Sequence, residues 1–240
     1  MWRGAKIGGV ALGGGNRYPL GWRPDGAAYI LVVVTEQPFR KVITSTGVLA
    51  ELMGTPSEIA MKKQLAEIDE HMAAFIAQSP FLLLATTSAN HRCDVSPRGD
   101  HPGFVRVLDA RTLLIPERTG NRRVDSLRNV VETGSAGLLF AIPGVLETLR
   151  VNGRAQVIAD EELLATMAVA GKVPQVGIVL HVEESFLQCG KALLRSELWS
   201  TPKRATLPTF AQMLKDQARL ESISAEAIQE RILESYGKLY

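Results

Sequence analysis

Two short stretches hold the residues whose types and spacing could do chemistry: Asp94-Val95-Ser96-Pro97-Arg98-Gly99-Asp100 and Pro116-Glu117-Arg118-Thr119-Gly120-Asn121-Arg122-Arg123. The first has the pattern of a strand end running into a turn, with Arg98 where the backbone leaves the sheet. In the second, Thr112 to Ile115 lead into a Gly-Asn break, and Val124, Leu127, Val130 and Val131 follow at helical spacing. That spacing predicts a helix over 122–131, with Asn121 as N-cap and Arg122 and Arg123 in its first turn. Cations at this end oppose the helix macrodipole by roughly 0.3–1 kcal/mol each, so two of them imply an anion between them. The free backbone N–H groups of a helix start make a phosphate the natural candidate. An ordinary loop with a solvated helix start fits the same residues, because exposed charges contribute little. Arg98-Gly99-Asp100 carries little weight as an adhesion triplet, since nothing else in the chain has an extracellular character.

The elements that must position these stretches follow from hydrophobic periodicity. Met61, Leu65, Ile68, Met72, Phe75 and Ile76 predict an amphipathic helix over 58–77, stopped by Ser79-Pro80. Phe81 to Thr87 and Cys93 to Arg98 form a hairpin pattern, and 105–108 pairs naturally with 112–116 across Asp109-Ala110-Arg111. Strands over 136–142 and 147–158 come next, with Gly153 at a bulge or a close backbone approach. Asp160-Glu161-Glu162 starts a short helix, and a last long strand runs from Val176 toward Phe186. A short helix over 190–199 sets Lys191 and Arg195 four residues apart on one face. Beyond Pro208, two helical stripes, Phe210-Met213-Leu214-Ala218 and Ile223-Ile228-Ile232-Leu233, suit packing or a dimer surface. Six or seven strands with few intervening helices predict a mainly β fold with flanking helices, a small antiparallel barrel rather than a doubly wound parallel sheet.

With 46% hydrophobic residues, 240 residues can bury a sizeable core in one large domain or two small ones. The 27 basic and 25 acidic side chains leave a formal charge of +2, which gives no global drive toward nucleic acid or an anionic membrane. Cys93 and Cys189 form no CxxC pair and no ligand cluster with the four histidines, so the reading is a cytoplasmic protein without a structural metal. Residues 1–36 are glycine-clustered and lack a periodic apolar face, which predicts a poorly ordered extension. Its apolar run, Ala27 to Val34, is too short to span a bilayer, and its glycines lack the strand–helix context of a dinucleotide fingerprint. The expected organisation is this extension, a central domain over 48–202 and a helical tail over 203–240.

The ordered series Ser79-Pro80-Phe81, Asp94 to Asp100, Gly103-Phe104-Val105, Leu114-Ile115-Pro116, Gly120 to Arg123, Asp125 to Asn129, Leu149 to Ala155 and Lys191 to Trp199 resembles the pyridoxamine 5'-phosphate oxidase-like flavoproteins. It is most similar to their bacterial subgroup of FMN-dependent proteins of uncharacterised substrate. The resemblance implies a split β-barrel that forms a homodimer with FMN at the interface. It aligns Val95, Ser96, Pro97 and Arg98 along the flavin, with Arg98 near the ring, where it would stabilise anionic reduced flavin, and Pro116-Glu117 beside it. Arg122 and Arg123, next to Asn121, match the family's phosphate-gripping pair. Thr148 stands where the family has a glutamine, and Lys191 and Arg195 match a segment that closes the pocket from the other subunit. Two departures bear on function: Cys93 replaces a common arginine, and Leu193 to Glu197 replace the arrangement that recognises pyridoxal phosphate. The expectation is therefore an FMN-dependent oxidoreductase of unknown substrate outside vitamin B6 synthesis. The alternative is a non-enzymatic flavin- or heme-binding carrier or redox sensor on the same barrel.

Overall fold

Seven strands hydrogen-bond into one antiparallel sheet: β1 (Phe81–Thr87), β2 (Cys93–Gly99), β3 (Arg106–Asp109), β4 (Thr112–Pro116), β5 (Ser135–Ala141), β6 (Thr148–Ile158) and β7 (Gly177–Gln188). Their order is β2-β1-β5-β6-β7-β4-β3, and the end strands β2 and β3 do not pair with each other. The sheet is thus open, as a split rather than a closed barrel requires. The computed structural model describes residues 42–200 and 207–240, so the expectations for residues 1–36 lie outside the described residues. The chain divides into two compact units, Met1–Thr55 and Pro56–Tyr240. In the first, α1 (Thr46–Met53) ends where the Gly54 N–H donates to the Ala50 carbonyl at 2.9 Å. The second contains the sheet and α2 (Glu58–Lys62), α3 (Glu70–Gln78), α4 (Asp125–Thr133), α5 (Glu161–Ala165), α6 (Lys191–Ser196), α7 (Phe210–Ala218) and α8 (Ala225–Tyr236).

Period-two alternation fills the core from one face of the sheet. Leu82 and Leu84 of β1 stand opposite Phe140 and Leu138 of β5, which in turn stand opposite Leu149 and Val151 of β6. All six are buried, and a one-residue slip of any strand would turn its row to solvent, so the register is strongly specified. Met72 and Ile76 of α3 and Val130 of α4 complete the same cluster.

The helix expected over 58–77 is broken. Leu65 exchanges backbone hydrogen bonds with Ser185 of β7 (3.0 and 2.8 Å), and the Ile68 N–H donates to Ala110 at 2.7 Å. Asp69 then starts α3 by accepting from the Met72 N–H at 2.8 Å. An extended segment satisfies these backbone groups against β7 and still delivers Ile68 and Met72 to the core, so tertiary pairing overrides the helical period. The last short helix is also briefer than expected, because Glu197 adopts a left-handed φ of 51° and ends α6.

Gly153 occupies a bulge, as its type suggested. Asn152 pairs with Glu184 and Gly153 with Val182, leaving Glu183 as the extra residue of β7. A Cβ at Gly153 would overlap the His181 carbonyl oxygen and stand 2.9 Å from its carbonyl carbon. Neither backbone can yield without breaking the β6–β7 ladder. Gly153→Ala is therefore expected to destabilise the protein by about 3 kcal/mol, at the upper end of overpacking costs. Urea unfolding checks this as a drop in midpoint at an unchanged slope.

Candidate functional site

The inner edge of β2, the end of β4 and the start of α4 converge on a cavity of about 840 Å³. Ser96, Pro97, Arg98, Pro116, Glu117, Asn121, Arg122 and Arg123 all line it, so the two stretches singled out in the sequence do meet. β2 is an edge strand paired only with β1, which tolerates Pro97 because a ladder N–H is not needed on the free side. Alternation along β2 turns Asp94, Ser96 and Arg98 inward and leaves Val95 61% exposed, outside the cavity lining. Val95 is thus the one expected ligand residue of β2 that does not line this cavity, although Pro97 on the same face does. At the opposite wall Pro116 pairs with Gly177, and the Glu117 N–H donates to Val176 at 3.1 Å. That pairing brings Lys172 to Val176, which no motif marked, to the cavity rim.

The helix start differs from the expected one. α4 begins at Asp125, with Val124 before it at a left-handed φ of 52° and Arg122 at 59°. Asn121 accepts from the Arg123 N–H at 3.0 Å, a local turn rather than a helix cap, and the two arginines sit in the loop. The reason lies at the middle of α4. Asn129 donates to Thr86 (3.0 Å) and Asp94 (3.1 Å), and the Thr86 hydroxyl donates to Asp94, which fixes the helix on the β1–β2 hairpin. The loop must then reach a fixed start, and a β-branched residue with positive φ is the strained result. α4 has no side-chain cap, so the N–H groups of its first turn keep their capacity where Asp125, Ser126 and Leu127 border the cavity.

The charges around the cavity are not equivalent. Arg98 contacts Glu117 at 3.1 Å, Arg118 contacts Asp100 at 2.6 Å, and Arg123 contacts Asp125 at 2.8 Å. Among the described residues Arg122 and Lys172 pair with no carboxylate, so they give the site its surplus of positive charge. Arg98 adds an orphan: its Nε is buried and has no hydrogen-bond partner. Buried donors are rarely left so, and the residue that carries this one also lines the cavity.

Sequence reasoning missed a second cluster on the same wall. The Tyr240 hydroxyl donates to Asp100 Oδ1 at 2.6 Å, and Arg118 Nε donates to Asp100 Oδ2 at 2.6 Å while its Nη1 reaches the Met167 carbonyl at 3.0 Å. The Asp100 side chain is only 1% exposed. Burial alone would raise its carboxyl, but the Tyr240 hydroxyl, the His101 N–H and Arg118 together hold it below its ordinary value. The same bond to Asp100 raises the Tyr240 phenol. No spacing rule joins residues 100 and 240.

The remaining expected ligands lie elsewhere on this chain. Lys191 and Arg195 line a second, shallower cavity of about 390 Å³ with Lys63, Phe186 and Gln188. Thr148, at the start of β6, has its hydroxyl 3.4 Å from the Gln188 amide. Arg150 and Lys63 both lie over the Phe186 ring at 5.3 Å, so this face is basic with an aromatic centre.

Residues 68–189, just over half of the chain, match the pyridoxamine 5'-phosphate oxidase family model. No curated protein is significantly similar to the chain. Among solved structures, HupZ of Group A Streptococcus is 19% identical over 51% of this chain and 94% of its own, with a TM-score of 0.41. An FMN-binding protein from Syntrophomonas wolfei is 14% identical over 59% and 94%, with a TM-score of 0.42. A protein related to general stress protein 26, of the pyridoxinephosphate oxidase family, from Clostridium acetobutylicum is 14% identical over 51% and 91%, with a TM-score of 0.37.

The lowered Asp100 carboxyl has a pH consequence of definite sign. Its contribution to stability is complete above 3.8, the ordinary carboxylate value, and is lost as pH falls through the lower folded value. Asp100→Asn removes that contribution at every pH. The wild type is therefore expected to melt above the variant near neutral pH, with the gap closing as pH drops below 3.8. Thermal unfolding of both proteins across a pH series measures the gap.

Proposed function

The chain belongs to the pyridoxamine 5'-phosphate oxidase family, and on that footing we propose that the cavity between β2, β4 and α4 binds FMN and that the protein is an FMN-dependent oxidoreductase. One observation carries the reading: unpaired Arg122 and the uncapped first turn of α4 border the same cavity as Arg98, whose guanidinium is held by Glu117. An anionic group suits the first pair, and an acceptor-bearing ring suits the second. The residues present thus fit a phosphate joined to a polar heterocycle.

In this reading Arg122, Arg123 and the N–H groups of residues 125–127 hold the phosphate. Arginine suits the task because its planar fork gives paired, charge-assisted bonds to phosphate oxygens. Ser96, Pro97 and Arg98 lie along the ring, and Glu117 orients the Arg98 guanidinium toward it. FMN, when bound, supplies the hydride chemistry, and the protein contributes binding, orientation and electrostatics. The basic face of Lys191 and Arg195 serves a second copy of the chain, closing its cavity across a homodimer interface. Leu193 to Glu197 offer no arrangement for pyridoxal phosphate, so vitamin B6 synthesis is not the proposed role.

Two charge-assisted bonds of about 1.5–3 kcal/mol each make the double variant Arg122→Ala/Arg123→Ala bind FMN more than about a hundredfold more weakly. Riboflavin, which lacks the phosphate, should bind wild type and variant alike. Flavin fluorescence titration tests both, and equal FMN affinities would remove the phosphate assignment. The dimer reading has its own measurement. Mixing this variant with Lys191→Ala/Arg195→Ala should regenerate one intact site per heterodimer, whereas flavin binding that stays absent in the mixture rejects the shared site.

A further inference from the structure

α8 ends at Tyr236, and the three residues after Gly237 run on to a part-buried contact. Tyr236 and Leu239 are 61% and 64% exposed, as is Leu233 at 59%, so the end of the tail rests little apolar surface on the sheet. Tyr240 is the exception. Its side chain lines the candidate cavity, its hydroxyl donates to Asp100 at 2.6 Å, and its ring lies 5.7 Å from the Arg118 guanidinium. Asp100 and Arg118 are themselves firmly held: the first is almost fully buried, and the second is tied to the Met167 carbonyl. Beyond α8, residues 237–240 are therefore a short arm fastened to a rigid receptor through Tyr240.

We propose that residues 237–240 form a latch on the candidate cavity, closed by the Tyr240–Asp100 hydrogen bond and opened when that bond breaks. The balance is close by construction. One charge-assisted bond and a cation–π contact oppose the entropy of ordering several exposed residues. Such a segment opens locally without disturbing the sheet, as weakly packed segments do. When closed, the phenol ring forms part of the cavity wall; when open, it leaves that wall to solvent and widens the path for a ligand. Asp100 needs no new partner on opening, because Arg118 remains bound to its other oxygen.

The latch stands without any assignment of the ligand, whereas its effect on cofactor exchange rests on the FMN reading. The two are separated by using one measurement for each. Tyr240→Phe keeps the ring and removes only the hydroxyl, at a position remote from the core, so the fold is preserved and circular dichroism verifies it. In the full-length protein without added flavin, backbone hydrogen exchange over residues 233–240 is expected to be at least about tenfold faster in the variant, the loss that one charge-assisted bond implies. Equal exchange in the two proteins would overturn the latch. FMN release from loaded protein, followed by its fluorescence after dilution, should likewise be at least about tenfold faster in Tyr240→Phe. Equal release rates with altered exchange would overturn the gating role while leaving the latch in place. A wild type that takes up no FMN would overturn the cofactor reading instead, and the exchange result alone would then decide the latch.

Discussion

The arrangement of the candidate site depends on one buried polar contact, the amide of Asn129 held between Thr86 and Asp94. Asn129 and Thr86 are 7% and 3% exposed, so leaving either unsatisfied would cost about 1–3 kcal/mol of desolvation. The three side chains satisfy one another instead, across α4, β1 and β2. This fixes both the height and the rotation of α4 over the hairpin. Everything at its N-terminus follows: the strained Val124, the loop position of Arg122 and Arg123, and the direction in which free N–H groups point. Ser126 adds a second tie, its hydroxyl donating to that of Ser96 at 3.3 Å, close to the cavity itself.

Around that anchor the charges divide into structural and available ones. Arg98, Arg118 and Arg123 each have a carboxylate partner, which fixes their direction. Arg98 is 18% exposed and Arg118 16%, so their pairs are screened far less than a surface pair and orient the guanidinium groups well. Arg122 and Lys172 stay unpaired among the described residues and supply net attraction for an anion. A site made only of paired cations would be rigid and neutral, and one made only of free cations would repel itself. The combination gives a shaped cavity with a positive surplus.

The strand-rich antiparallel pattern, the β1–β2 hairpin and the bulge at Gly153 were all legible before any coordinates. Each is written locally, in period-two apolar patterns, turn residues and a glycine in a long strand. The continuous helix over 58–77 and the N-cap at Asn121 were not realised, for one shared reason. Local periodicity describes what a segment would do alone, while β7 and the Asn129 network determine where the segment must end. Val95 shows the same limit at a smaller scale, since a motif marks a stretch and the fold decides which of its residues reach the cavity.

The sequence by itself determined the mainly β fold and, through an ordered series of motifs, the resemblance to its family. The fold follows from spacing within a few residues, where covalent geometry controls which side chains share a face. Tertiary structure alone decided that Lys191 and Arg195 line a different cavity from Arg98 and Arg122, that Lys172 to Val176 form a rim, and that Tyr240 reaches Asp100. Contacts between residues 100 and 240 depend on how the sheet and the tail helices pack. Nothing in a linear pattern encodes that distance, because the free energy that brings such residues together belongs to the whole core and not to either segment.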